Sequence, residues 1–201
     1  MRKFFLLHAF LALAFSLHQS AAQNVAGGSP PGGLGTTNEA AADQASSVST
    51  ATNVVLRLKA GLSTPYTNSA GAVWLADQGF NDGDTIMRDP GTVIVGAKDP
   101  NLFLSEHYGM TSFSWKLPNG KYVAKLYFAE TYEDITGSGQ RVFSFNVQGH
   151  EFKDFDIWVK AGGACRPYIQ TVPVEVTNGV FHIDFTSNIE NPEINAIEIL
   201  R

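Results

Sequence analysis

The run Thr111–Glu130, "TSFSWKLPNGKYVAKLYFAE", decides how the chain folds. Phe113, Trp115 and Leu117 share one parity, and after "PNG" so do Tyr122, Ala124, Leu126 and Phe128. Successive side chains of a strand point to opposite sides, so the pattern predicts two strands, each apolar on one face. Val123, Lys125 and Tyr127 fall on the opposite face of the second strand. "PNG" between the two segments predicts a hairpin turn.

The same alternation extends outward in both directions. "NVVLRLKAG" (53–61) sets Val55, Arg57 and Lys59 against Val54, Leu56 and Leu58. "QRVFSFNVQG" (140–149) sets Phe143, Phe145 and Val147 against Ser144 and Asn146. "TVPVEVTNGVFHIDFTS" (171–187) predicts a second hairpin around "TNG", with Phe181, Ile183 and Phe185 against His182 and Asp184. "EINAIEIL" closes the chain with Ile197 and Ile199 facing inward. No ten-residue helical period competes, so the fold class is all-β, an antiparallel β-sandwich or jelly roll.

Ahead of these strands, residues 1–22 read as an export signal. Arg2 and Lys3 precede the apolar run "FFLLHAFLALAF" and a small-residue cleavage site ending at Ala22. That run is shorter than the roughly 20 residues of a membrane span, and no second one follows, so no membrane span is expected after cleavage. Residues 23–52, rich in Gly, Ser, Pro, Thr and Ala, read as a flexible spacer with little to bury. The expected domain is 53–201, long enough for one core. The expected location is secreted or extracytoplasmic: extracellular, cell wall or periplasm. No "KDEL"-like tail follows "EILR", which disfavours the endoplasmic reticulum.

Removing Arg2 and Lys3 takes the formal charge from −5 to −7, which excludes the basic footprint of a nucleic-acid binder. Cys165 is the only cysteine, so no internal disulfide forms.

Candidate recognition residues lie on three loops, where strand folds usually carry function. The first holds Trp74, Asp77, Phe80, Asp82, Asp84, Arg88 and Tyr108; the second Glu130, Tyr132, Glu133, Asp134 and Gln140; the third Asn188, Glu190 and Asn191. Rings beside carboxylates suit neutral sugars, whose apolar faces stack while their hydroxyls donate to carboxylate oxygens.

The same stretch of chain contains fragments of several catalytic and metal patterns. Glu130, Glu133, Glu190 and Asp156 supply carboxylates for a glycoside-processing enzyme, but sequence does not fix their separation. No "GxSxG" elbow occurs, and His107, His150 and His182 sit in no nucleophile-activating motif. "HEF" at 150–152 lacks the second histidine of a zinc helix, and "GSG" at 137–139 lacks the Lys and Ser/Thr of a phosphate loop. "NDGD" at 81–84 matches only a fragment of a calcium loop, and a tight turn explains it equally well. No cofactor and no metal is expected.

Taken in order, "AGAVWLADQGF", "FLSEHYG", "LPNGKYVAKLYFAETY", "GQRVFSFNVQG" and "NPEINAIEIL" resemble the malectin and malectin-like carbohydrate-binding domains over nearly all of Val54 to Leu200. The resemblance implies a jelly-roll sandwich of galactose-binding-like type, lectin-like and without catalytic activity. It carries over Tyr108 of "SEHY" and Tyr132 of "FAETY" as platforms for stacking, and Glu190 as acceptor of hydroxyls. Glu133 stands where the animal protein has an aromatic, and the loop "NDGDTIMRDPGTVIVG" lacks a further family tyrosine. Trp74, Asp77, Gln140, Arg141 and Asn191 take supporting positions. The implied partner is a neutral oligosaccharide or glycan, glucose-terminated or an α-glucan, on a cell wall or glycoprotein, with altered specificity. Alternatives are a protein- or peptide-binding extracellular interaction module and a small glycoside-processing enzyme.

Overall fold

The computed structural model describes residues 53–201, so the expected export signal and spacer lie outside the described residues. The described residues begin with strands β1 (Val54–Lys59), β2 (Tyr66–Thr67), β3 (Val73–Trp74), β4 (Phe80–Asn81) and β5 (Asp84–Met87). A 3-10 turn at Pro100–Phe103 leads to β6 (Ser105–Tyr108), β7 (Ser112–Lys116), β8 (Gly120–Phe128), β9 (Val142–Val147) and β10 (His150–Phe155). The short helix α1 (Ile157–Ala161) precedes β11 (Tyr168–Val176), β12 (Val180–Ile189), β13 (Glu193–Ile194) and β14 (Ala196–Leu200).

Two antiparallel sheets form the sandwich: one ordered β1-β14-β8-β11, the other β10-β9-β12-β7-β4. Their apolar faces meet as the alternation requires, with Leu126, Phe128, Ile197 and Ile199 against Phe113, Phe143, Phe145, Phe181 and Ile183. Phe128 joins the layers, its ring centroid 5.0 Å from Phe155 and 5.8 Å from Phe145. Each such buried aromatic contributes about 1.5–3 kcal/mol of apolar transfer. Asp156 caps α1 by accepting the Val159 N–H at 3.1 Å, and Gly162 ends it in the left-handed region at φ 75°.

Neither expected hairpin forms. The strands on either side of "PNG", β7 and β8, belong to different sheets, and so do β11 and β12 on either side of "TNG". Both turns are arches that carry the chain across the core. Alternation is the same for a hairpin and an arch, because either one can bury the same faces; pairing partners elsewhere in the chain decide. The arches lie side by side and complete each other's bonds: Leu117 N–H donates to Gly179 O at 3.0 Å, Asn119 Nδ2 to Thr177 O at 2.9 Å, and Gly179 N–H to Asn119 Oδ1 at 2.8 Å. A two-residue hairpin does join β9 to β10, through Gln148 at φ 50° and Gly149 at φ 91°.

Lys59 corrects a second expectation. Its parity with Val55 and Arg57 predicts an outward side chain, yet it is wholly buried. A third, three-stranded sheet, β13-β6-β5, closes over that end of β1. Lys59 Nζ donates to the carbonyls of Ser105 at 2.6 Å, Ala60 at 3.0 Å and Asn195 at 3.0 Å. Burial lowers its pKa to about 7. A smaller apolar cluster of Trp74, Ile94, Leu102, Phe103, Tyr127 and Ala196 covers the outer face of the first sheet.

Candidate functional site

The third sheet sets one wall of a cleft. On β5 and β6, Ile86 pairs with Glu106 and Asp84 with Tyr108, so residues 86, 88, 106 and 108 share one face. The turn into β5 runs through Asp82 at φ 60° and Gly83 at φ 86°. A Cβ on Gly83 would lie 2.3 Å from the Tyr108 carbonyl oxygen, so only glycine fits this approach. "NDGD" is therefore a tight turn, with Asp82 Oδ2 accepting from Thr111 Oγ1 at 2.7 Å and Asn81 Nδ2 at 2.9 Å. Among the described residues no group of three or more His, Cys, Asp and Glu side chains is placed to hold a metal ion.

Opposite this wall stand the loop after β8 and the turn before β13. The resulting cleft, about 280 Å³, is lined by Ile86, Arg88, Glu106, Tyr108, Tyr132, Arg141, Glu190 and Asn191. Two ion pairs hold its base. Arg88 Nη2 lies 2.6 Å from Glu106 Oε1, and Thr131 Oγ1 donates to the other Glu106 oxygen at 3.0 Å. Arg141 Nε lies 2.7 Å from Glu130 Oε2, and its Nη1 donates to Asn191 O at 2.6 Å. Glu130 Oε1 accepts the Tyr132 N–H at 3.0 Å. Burial raises the Glu130 pKa, with Arg141 acting against that rise.

Behind the base lies Glu193, wholly buried, with neither carboxylate oxygen hydrogen-bonded among the described residues. Burial raises its pKa well above 4.5, and Glu106 and Glu130 add to the rise. A neutral carboxyl is the form this setting favours. Nothing in the local sequence flags Lys59 or Glu193; only the covering sheet makes them buried.

Tyr132 is the exposed ring of the site. Arg88 Cζ lies 5.5 Å from its centroid, and its hydroxyl donates to Asp134 Oδ2 at 2.6 Å. That bond raises the Tyr132 pKa. Glu190 turns the chain at φ 61°, and its Oε1 accepts from Asn191 N–H and Nδ2, each at 3.1 Å.

Five of the nine residues that the family resemblance placed at a site thus line one cleft, Tyr108, Tyr132, Glu190, Arg141 and Asn191, and the loop candidate Arg88 lines it with them. Four do not. Glu133 faces a larger hollow of about 680 Å³ beyond Tyr132, beside Glu130, Ile135, Trp158 and the half-buried Cys165. Gln140 Oε1 accepts from the N–H groups of Thr136 at 2.6 Å and Gly137 at 3.1 Å, closing the loop on itself. Asp77 accepts from Gly61 N–H at 2.7 Å and lies 3.0 Å from His107 Nδ1. Trp74 is buried edge-on against Tyr127, their centroids 5.5 Å apart.

Of the carboxylates considered for hydrolysis, Glu130 is salt-bridged to Arg141 and lines the second hollow with Glu133, Asp156 caps α1 and Glu190 lies in the cleft. One histidine contact was not legible in sequence: Ser114 Oγ lies 2.8 Å from His182 Nδ1, and His182 Nε2 lies 2.9 Å from Asp184 Oδ1. Pairing of β7 with β12 brings these three together on an exposed sheet face, as a cross-strand polar row.

The model of the malectin domain matches residues 54–197. A probable leucine-rich-repeat receptor-like serine/threonine-protein kinase of Arabidopsis thaliana is 28% identical over 122 residues, 55% of this chain and 11% of that protein. Among solved structures, the extracellular domain of ANXUR2 from Arabidopsis thaliana is 16% identical with TM-score 0.64, covering 73% of this chain and 47% of that one. The plant peptide RALF23 in complex with FER and LLG2 gives 18%, TM-score 0.64, and coverage of 73% and 48%. A Bacteroides uniformis β-glucuronidase gives 18%, TM-score 0.64, and coverage of 72% and 18%. The chain spans about a tenth of the kinase, under half of these two plant chains and under a fifth of the glucuronidase. Among the described residues no helix is long and apolar enough to cross a membrane.

The expected neutral glycan partner is corrected by this comparison, in which the matched complex contains a peptide and a protein. The physical reason lies in the cleft. Both oxygens of Glu106 and both of Glu130 are already hydrogen-bonded, and the Tyr132 hydroxyl donates to Asp134. Of the carboxylates around the cleft, Glu190 alone is left without an ion pair among the described residues.

Proposed function

The chain belongs to the malectin family, whose domains are non-catalytic modules, and from that premise we propose that this extracellular module binds a peptide or protein segment in the Tyr108–Tyr132–Glu190 cleft. One observation carries the reading. The two arginines of the cleft are neutralised by Glu106 and Glu130, while the Tyr132 ring and the Glu190 carboxylate stay open to solvent. Such a surface offers a ring to an apolar or cationic side chain and one uncompensated negative charge. A receptor of the same fold that is found in complex with a peptide and a protein supports the choice of partner class.

The test is calorimetric titration of the secreted chain with a panel of cationic, neutral and acidic peptides of about 15–20 residues, repeated on Tyr132→Ala. Binding of a peptide that Tyr132→Ala weakens at least about tenfold is the expected result, equivalent to about 1.4 kcal/mol. A panel in which no peptide binds, beside a glycan whose binding depends on Tyr132, sinks the reading.

A further inference from the structure

The strand that walls the cleft is also an open sheet edge. In the order β13-β6-β5, strand β5 has β6 on one side and no strand on the other among the described residues. All four of its residues are exposed, Met87 at 60%. The Arg88 N–H donates to Leu104 O across the β5–β6 ladder at 2.7 Å. Residues two apart in a strand bond the same way, so the backbone groups of Asp84 and Ile86 point to β6 and those of Thr85 and Met87 point outward. The Thr85 N–H is held by Asp84 Oδ1 at 2.8 Å, whereas both backbone groups of Met87 and the Thr85 carbonyl face the open edge.

Concavities flank this edge on both faces. Ile86 and Tyr108 line the cleft on one face. On the other, Met87 and Ser105 line a separate apolar hollow of about 220 Å³ with Leu62, Tyr66, Pro90 and Leu104. Exposed sheet edges are templates for pairing, and a peptide that adds as a strand sends alternate side chains into pockets on opposite faces. Charge selects the occupant. Among the described residues Glu190 has no basic partner, and Asp84 adds a second exposed carboxylate at the start of the edge, on a chain of net −5.

We propose that the open edge of β5 receives an extended peptide as an added strand, with a Lys or Arg side chain in the Tyr108–Tyr132–Glu190 cleft and the adjacent apolar side chain over Met87. The proposal rests on the peptide-binding reading and adds to it a backbone mode and a residue pattern. Adjacent residues of a strand face opposite ways, so the basic and the apolar residue are neighbours in the partner's sequence.

The experiment uses the full secreted chain and fluorescein-labelled heptapeptides of threonine and valine whose fourth and fifth residues are Lys–Leu, Glu–Leu or Ser–Ser, followed by fluorescence anisotropy. The Lys–Leu peptide should bind at least tenfold tighter than either other. N-methylation of its amides one at a time should weaken binding at alternate positions only, because every second amide points to β5. Met87→Pro should weaken it at least tenfold with little change in melting, since the lost N–H faces outward on an edge strand; Glu190→Gln should reduce the preference for Lys–Leu over Glu–Leu. N-methylation without effect, in a peptide whose binding Tyr132→Ala still abolishes, overturns the added strand and leaves the cleft reading standing. Failure of every heptapeptide overturns the added strand as well, while the longer peptide panel decides the cleft reading separately.

Discussion

Arg141 ties together the two loops that form the cleft: its Nε lies 2.7 Å from Glu130 on the loop after β8, and its Nη1 reaches Asn191 O before β13. Both side chains are almost wholly buried. Removing one partner of a buried pair leaves an uncompensated charge and costs about 3–5 kcal/mol. Arg141→Met should therefore lower stability by about that amount in urea unfolding. The double variant Arg141→Met with Glu130→Leu should recover part of the loss, because no charge is then left buried. Equal losses in the single and double variants count against the pair as the source.

Tyr132 behaves oppositely. Its ring is exposed, and its contacts are a cation–π approach from Arg88 and a hydroxyl bond to Asp134 on the same loop. An exposed cation–π contact is worth about 0.5–1 kcal/mol. Tyr132→Ala should shift the melting temperature by no more than about 4 °C, which corresponds to about 1 kcal/mol in a domain of this size. A cooperative loss of folding in this variant, seen by circular dichroism, makes Tyr132 a core residue instead.

What the sequence revealed and what it hid follow from the same physics. Alternation located β7, β8, β9 and β12 and assigned Phe113, Phe128, Phe143 and Phe181 to the core, because faces of strands are set by parity alone. Tyr108 and Tyr132 stood out as rings beside acids near strand ends, and they line one cleft. Parity could not show that a third sheet covers Lys59 and Glu193, since burial from outside leaves no local period. Trp74 went to the second core for the same reason: the cluster around it comes from residues 94–103 and 127, far away in sequence.

Those two hidden groups make stability depend on pH in opposite directions. Glu193 has a folded pKa raised above 4.5, so its contribution is fully present below 4.5 and is lost as pH rises through the folded value. Lys59 has a folded pKa lowered from 10.5 to about 7, so its contribution is present above 10.5 and is lost as pH falls through about 7. Urea unfolding across pH 4–8 should show wild type losing stability relative to Glu193→Gln as pH rises. Between about pH 7 and 10.5, wild type should gain stability relative to Lys59→Met. A difference curve that is flat with pH in either series removes that group as the source.

The arches give the last prediction, at Asn119. Its side chain bonds twice to the neighbouring "TNG" turn, donating to Thr177 O and accepting from Gly179 N–H, over 58 and 60 residues of sequence. Among the described residues the side chain of Asn178, the matching residue of the other turn, accepts only from the nearby Val180 N–H at 3.2 Å. A net hydrogen bond is worth about 0.5–1.5 kcal/mol, so Asn119→Ala should cost about 1–2 kcal/mol and Asn178→Ala less than about 1. Two independent hairpins would give each asparagine a local role and similar costs. Paired arches predict the asymmetry, and urea unfolding of the two variants side by side distinguishes them: equal losses would falsify the cross-turn role of Asn119.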